Sequence, residues 1–405
     1  MITILYYRKK VHLFLSKVQY KGEKIIKLFL YDVTSSYLEG TENELGDWGY
    51  NRDGKKGKLQ IVIGLLTDDE GVPVSIEVFK GNTNDTKTFY NQIRKLSDRF
   101  GVKEVVMVGD RGMIKSAQIL NLKAENFNYI TAITKPQIES LIKKGTIQIE
   151  LFSEKLCEVQ SDGIRYILRK NPIRAEEIRI NREDKLEKIC KFIKEQNEYL
   201  SEHEKAKTPT AIKKVDQLIN KLNVSNFAKV EAKESILSLK IDKEEKEKAA
   251  SLDGCYAIKT ELKKEEVVTE KIHQRYKDLA MVEQGFRTMK TALLETRPIF
   301  VRKEKRTRGH VFVVMLAYIL IHELQKLWAN EDVTVEEGIK ELAMINSVEI
   351  KMGKKSYQQI PQPRKLGETL LNLANVTLPP AILSPNINVA TKRKLPERRK
   401  RHIAK

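Results

Sequence analysis

Cysteine is scarce in this chain. Of its 405 residues only Cys157, Cys190 and Cys255 are cysteines, and they stand far apart. That spacing excludes a disulfide framework and a thiolate zinc site, and it points to a reducing cytoplasm. Long apolar runs are also missing. The longest, Val311 to Ile321, is eleven residues flanked by His310 and His322. A bilayer span needs about 20, so this run is expected to be a buried core helix. No small-residue cleavage site follows Arg8, Lys9 and Lys10, so no secretory leader is expected. Internal repeats and Gly/Ser linkers are absent as well. With 41% hydrophobic and 32% charged residues, the chain suits a soluble protein of two or three domains.

The remaining shortage is of acidic residues. Lys+Arg minus Asp+Glu is 74 − 55 = +19. Such an excess favours a polyanionic partner, nucleic acid before membrane, because no basic amphipathic anchor is evident. Part of it is local. Residues 392–405 hold eight Lys/Arg against Glu397, a net +7 that suits either a solvated tail or a phosphate-binding arm.

Residues 25–34, 59–67, 72–79, 104–110 and 128–134 read as strands, several of them continuous apolar runs. Asp85 is the expected N-cap of a helix running to about Arg99, and a second helix covers 116–126. The order β-β-β-α-β-α-β predicts a mixed α/β sheet with helices on both faces. After Lys135 the composition changes. A hairpin over 144–170, Lys/Glu-rich helices over 174–222 and short strands over 226–262 read as an α+β insertion. The expected domains are 1–135 and 268–345 for one split catalytic unit, 136–267 for the insertion, and 346–405 for a basic C-terminal region, of which the proline-rich 353–405 is expected to pack loosely.

Two aspartates sit in or at the end of apolar strands. Asp32 interrupts a run of Ile, Leu, Phe and Tyr, and Asp110 closes another. A carboxylate there loses hydration unless something binds it. A third carboxylate lies in YKDLAMVEQGFRTMK. Tyr276, Glu283 and Lys290 are seven apart and share one helical face, which Arg287 joins at i+4. Leu279, Val282, Phe286, Met289 and Leu293 form the neighbouring apolar stripe, so Glu283 borders the core. Three hard oxygen ligands in a basic protein suit Mg²⁺ or Mn²⁺, and two such ions can activate attacking and leaving oxygens in phosphodiester chemistry.

YDVTSSY around Asp32, GDRGM around Asp110 and the Y-x6-E-x3-R-x2-K pattern at 276–290 resemble the DDE transposases of bacterial insertion sequences, the IS-four superfamily in particular. The resemblance spans roughly residues 25–325. It implies an RNase H-like fold, retroviral-integrase-like, interrupted by the insertion. It also implies a triad of Asp32, Asp110 and Glu283 holding two Mg²⁺ or Mn²⁺ ions. Tyr276, Lys290 and, more weakly, Arg287 would contact the DNA backbone. Implied partners are double-stranded DNA, as element ends and target, and a second copy of the chain in a synaptic homodimer. The expected location is the cytoplasm of a prokaryote, on the nucleoid. Many members of the superfamily carry arginine three residues after the tyrosine; Leu279 stands there and reads as core. Only 31 residues precede Asp32, where relatives carry a longer region. Two other readings stay open: a truncated, inactive DNA-binding remnant, and an RNase H-like nuclease without strand transfer. Trp48 and Trp328 read as packing residues.

Overall fold

The structure is a computed structural model. It describes residues 27–89, 105–203, 205–352, 355–378 and 381–382. Two compact units divide it, Met1–Met315 and Leu316–Lys405.

The first unit is built on one eight-stranded mixed sheet. Its strands are β1 (Lys27–Tyr37), β2 (Gln60–Thr67), β3 (Pro73–Lys80), β4 (Val105–Gly109), β5 (Asn128–Ala132), β6 (Cys157–Ser161), β7 (Ile164–Lys170) and β10 (Cys255–Thr260), in the spatial order 3-2-1-4-5-10-7-6. β1, β2 and β3 form an antiparallel meander, β1 runs parallel to β4, and β4 runs parallel to β5. Central strands covered on both faces must be apolar throughout, and all eight residues of β2 are buried. Gly64 of β2 is required by close packing: a Cβ there would stand 2.2 Å from the Tyr31 hydroxyl.

One face carries a core of Phe29, Tyr31, Val33, Val62, Met107 and their neighbours, covered by helix α1 (Ser116–Ala124) through Ile119 and Leu122. Strand side chains alternate, so Leu30, Asp32 and Thr34 project from the opposite face. That face is covered by α6 (Thr269–Lys277) and α7 (Leu279–Met289). Helix α2 (Lys135–Lys143) packs Ile138 into a separate cluster with Tyr166 and Leu168. Of the helix expected from Asp85, only 85–89 fall among the described residues. Asp85 lies inside it and not at its cap, and its carboxylate pairs with Arg52.

Within 136–267, β6, β7 and β10 extend the main sheet, joined through antiparallel pairing of β10 to β5. Arg165, almost wholly buried, ties this extension down. It pairs with Glu158 at 2.9 Å and donates to the carbonyls of Leu262 and Val267 at 2.9 and 2.8 Å. Helices α3 (Pro172–Glu202) and α4 (Thr208–Lys221) and the hairpin of β8 (Ala228–Lys233) and β9 (Ile236–Ile241) have a core of their own, including Ile189, Val215 and Leu237. Residues 243–251 form a helix, α5, where short strands were expected. Asp242 caps it by accepting from the Glu245 amide. Its Lys/Glu/Ala composition favours a helix and offers no β-branched residues to a strand.

Helix α8 (Glu304–Leu327) contains the long apolar run and, by length and composition, is apolar enough to cross a membrane. The expected buried core helix is buried on one stripe only, Val311, Val314, Met315, Tyr318 and Ile321. Phe312, Val313 and Leu320 are exposed. The second unit also holds α9 (Val335–Ala343), a small sheet of β11 (Val348–Met352), β12 (Lys355–Gln359) and β13 (Ala381–Ile382), and α10 (Lys365–Leu373). The expected loose packing therefore needs correction at 365–373. Leu370 is buried, and its carbonyl accepts from the Trp328 indole at 3.2 Å. The basic tail, 392–405, lies outside the described residues.

The β2–β3 turn supports one prediction. Asp68 accepts from the amides of Glu70 and Val72 at 3.0 and 2.9 Å, and burial pushes its carboxyl up to about 6. A carboxyl raised on folding stabilises the fold at low pH, and that contribution is lost as pH rises through the folded value. Asp68→Asn keeps the oxygen that accepts both amides and removes the charge. It is expected to gain on the order of 1 kcal/mol over wild type at pH 8 and nothing near pH 4. Urea midpoints at the two pH values check this; an equal effect at both would refute it.

Candidate active site

Asp32 and Asp110 meet because of strand register. In the parallel pair β1–β4, Tyr31 lies opposite Gly109, so the next residues, Asp32 and Asp110, are neighbours where β4 ends. β1 runs on to Tyr37, and Asp32 projects toward α7. The Val33 amide donates to Asp32 Oδ1 at 2.7 Å. Burial, and then the charge of Asp110, push the Asp32 carboxyl up to about 7. Among the described residues neither aspartate has a cationic partner within ion-pair distance.

Helix α7 brings Glu283 to the same cleft, an open space of about 510 Å³ that Asp32, Asp110, Glu283 and Lys290 all line. Val282, Phe286 and Met289 are buried against the sheet, which fixes the helix and leaves Glu283 beside its buried stripe. Glu283 is 59% exposed and pairs with Arg287 at 2.6 Å. Among the described residues no three carboxylates or histidines are gathered closely enough to hold a metal ion.

The single helical face expected to carry Tyr276, Glu283 and Lys290 is divided between two helices. They meet at Asp278, whose buried carboxylate draws in Gln274 at 3.0 Å and Arg275 at 3.3 Å. Tyr276 therefore belongs to α6, and Glu283 and Arg287 to α7. Leu279 is half-buried. Leu293 lies beyond the end of α7 and is exposed, so it leaves the stripe. The Tyr276 hydroxyl donates to Asp110 Oδ1 at 3.3 Å, and burial, followed by the Asp110 charge, raises the phenol well above its usual range.

Lys290 caps α7, and its ammonium donates to Thr34 Oγ1 at 2.7 Å and to Asp53 at 2.8 Å. In the sequence Asp53 carries only the signature of an Asp-Gly turn. Its side chain is 1% exposed, and it also takes Arg297 at 2.6 Å and accepts from the Tyr37 amide at 3.2 Å. Burial holds the Lys290 ammonium below the lysine range, opposed by Asp53. Asp85 likewise has its cation, Arg52, bound by two contacts of 2.7 and 2.8 Å. Of the five carboxylates lining the cleft, Asp53, Asp85 and Glu283 are thus neutralised by bases. The unneutralised pair is Asp32 and Asp110. The donor set fits a divalent cation: hard oxygen ligands, a desolvated carboxylate and no compensating base. Glu283, on the facing helix, meets Arg287 through Oε1.

The family model described as "Transposase DDE domain" matches residues 24–320. The chain belongs to the DDE transposase domain family. Its 3-2-1-4-5 strand order, with β1 antiparallel to β2 and parallel to β4, is the RNase H-like arrangement of DDE transposases. The sequence matches none of the curated proteins. Among solved structures, the chain is similar to the piggyBac transposase synaptic complex with hairpin DNA. The identity is 8% and the TM-score 0.38, over 85% of this chain and 51% of that one. It is also similar to the Mos1 transposase paired-end complex with left transposon end, at 14% identity and TM-score 0.20, over 30% and 40%. The chain thus spans about half the length of the piggyBac transposase chain.

Proposed function

We propose that this transposase-family chain cuts DNA at the ends of a mobile element and joins the freed 3′-hydroxyl to target DNA. The observation that carries the reading is the register that sets Asp32 beside Asp110, with Glu283 on the facing helix of the same cleft. Asp32, Asp110 and Glu283 would hold the divalent ions, two Mg²⁺ or Mn²⁺. Bound there, such ions activate the attacking oxygen and stabilise the leaving one. The chain's own side chains do the rest. The Tyr276 phenol stays protonated and holds one Asp110 oxygen, leaving the other free. Lys290, Arg297 and Arg52 line the cleft and would meet the phosphates on either side of the scissile bond. Asp53 and Thr34 hold the Lys290 ammonium in place before DNA arrives.

In this reading residues 136–267 are an insertion in the catalytic domain, 268–345 its closing helices, and 346–405 a basic region adding to DNA contact. The partners are double-stranded DNA and, because two ends must be processed together, a second copy of the chain. Incubating the protein with element-end duplex and Mg²⁺ or Mn²⁺ tests the reading. Nicked ends and joined products are expected. Cleavage without joining would make it a nuclease, and binding without cleavage a DNA-binding remnant.

DNA affinity is expected to fall steeply with salt, because Lys/Arg displace condensed counterions. Deleting 392–405, with its net +7, should flatten the slope of log affinity against log salt. An unchanged slope would show that the tail takes no part.

A further inference from the structure

Beside the carboxylate cleft, and sharing Arg52 and Asp85 with it, lies a second open pocket of about 570 Å³. Two aromatic residues on its wall face water: Trp48 is 62% exposed and Tyr50 82%. Trp48 is therefore not the packing residue the sequence suggested. Nor does it ride on a loose loop. Asp47 and Gln60 exchange two backbone hydrogen bonds of 3.1 Å, and the Gly81 amide donates to the Leu45 carbonyl at 3.1 Å. Gln60 Nε2 donates to the Gly81 carbonyl at 2.8 Å. The segments touch so closely that a Cβ on Gly49 would stand 2.2 Å from the Gly81 oxygen, and one on Gly81 2.1 Å from the Gln60 oxygen. Backbone packing thus holds two large apolar rings in water, an arrangement that disfavours the free chain unless something covers them.

The polar groups around them are amides, hydroxyls and cations, with one carboxylate, Asp85, that is paired with Arg52. Gln60 is buried, lines the pocket and leaves its Oε1 without a hydrogen-bond partner among the described residues. Asn82 and Asn84 add exposed amides, and Lys115 an exposed ammonium. The Arg52 guanidinium, held by Asp85, lies 5.7 Å from the Tyr50 ring centroid. Flat rings, amides and cations together match a flat heterocycle with donor and acceptor edges attached to a phosphate.

Resting on the transposase reading, we infer that this pocket binds a nucleobase of single-stranded DNA adjoining the cleaved phosphate. The base stacks on Trp48, an amide such as Gln60 takes its edge, and Lys115 faces the backbone. A base still stacked in duplex could not reach the ring, so the strand must be open at this nucleotide.

The chain has two tryptophans, and Trp328 is 2% exposed, so quenching of tryptophan emission reports Trp48. The full chain is titrated with a twelve-residue oligothymidylate and with an abasic oligonucleotide of the same length. Expected are quenching by the first, not by the second, and a loss of about tenfold or more in oligothymidylate affinity for Trp48→Ala, with Trp48→Phe near wild type. Trp48 is exposed, so both variants should fold. Equal quenching by the abasic strand, or unchanged affinity in Trp48→Ala, overturns the pocket while wild-type cleavage of element-end duplex still stands. Wild-type protein that binds neither single strand nor duplex and cleaves nothing overturns both readings.

Discussion

Asp32→Asn is expected to abolish divalent-cation-dependent DNA cleavage, with a loss on the order of 10³-fold or more, while duplex binding stays within a few fold of wild type. Asp110→Asn should do the same. The amide preserves shape and one accepting oxygen, so the Val33 amide keeps its partner. It takes away a negative charge that the protein leaves unneutralised at considerable desolvation cost. If Asp32 served the fold, the substitution would lower the thermal midpoint. If it serves a cation, the midpoint should hold or rise while activity vanishes. Glu283→Gln should also abolish cleavage, although its resting partner, Arg287, is an exposed i,i+4 neighbour whose loss costs little stability. Gel assays of cleavage, paired with duplex affinity and thermal melts, separate these outcomes. Near wild-type cleavage in any one variant would remove that residue from the site.

Asp53→Ala is expected to cost the fold about 3 kcal/mol, the largest stability effect predicted for a single residue of the cleft. Its carboxylate is buried between Lys290 and Arg297, and truncation strands a largely buried ammonium whose other partner is a single threonine hydroxyl. Adding Lys290→Met to Asp53→Ala should recover part of the loss, because the stranded charge goes with it; a coupling above about 1 kcal/mol is expected for groups in direct contact. Urea denaturation of the four proteins measures this. Additive effects would show that Asp53 and Lys290 act independently. Alone, Lys290→Ala should weaken assembly with cleaved ends more than it weakens Mn²⁺ binding, since the ammonium is bonded to Thr34 and Asp53 and not to Asp32 or Asp110.

Much of the catalytic unit could be read from local pattern. Residues 59–67 read as a strand because a β-strand buried on both faces is a near-continuous apolar run, and β2 is buried throughout and apolar from Ile61 to Leu66. Asp32 stood out because a charge inside such a run is costly wherever the strand lies. The seven-residue spacing of Glu283 and Lys290 placed both on one side of α7 and its cap, since helical periodicity is a property of the chain itself. The basic balance toward a polyanion was a matter of counting.

Other features exist only after folding. Nothing local sets Tyr31 opposite Gly109, and a one-residue slip would have put Asp32 and Asp110 out of step. The break at Asp278 reflects a buried carboxylate and its two partners, a cost that helical periodicity does not register. That β6, β7 and β10 extend the central sheet was hidden because strand pairing is decided by distant segments. Asp53 carries a turn's signature in sequence, and its grip on Lys290 and Arg297 spans 237 and 244 residues. Trp48 is exposed because Gly49 and Gly81 bring two backbones together beneath it. Composition and periodicity thus determined the strands and most helices of the catalytic unit, the charge and the residue types capable of chemistry, because those depend on each residue and its near neighbours. Which carboxylates stand together, which are neutralised by a base and which rings face water were decided by the tertiary structure, because each depends on groups brought together across the sheet.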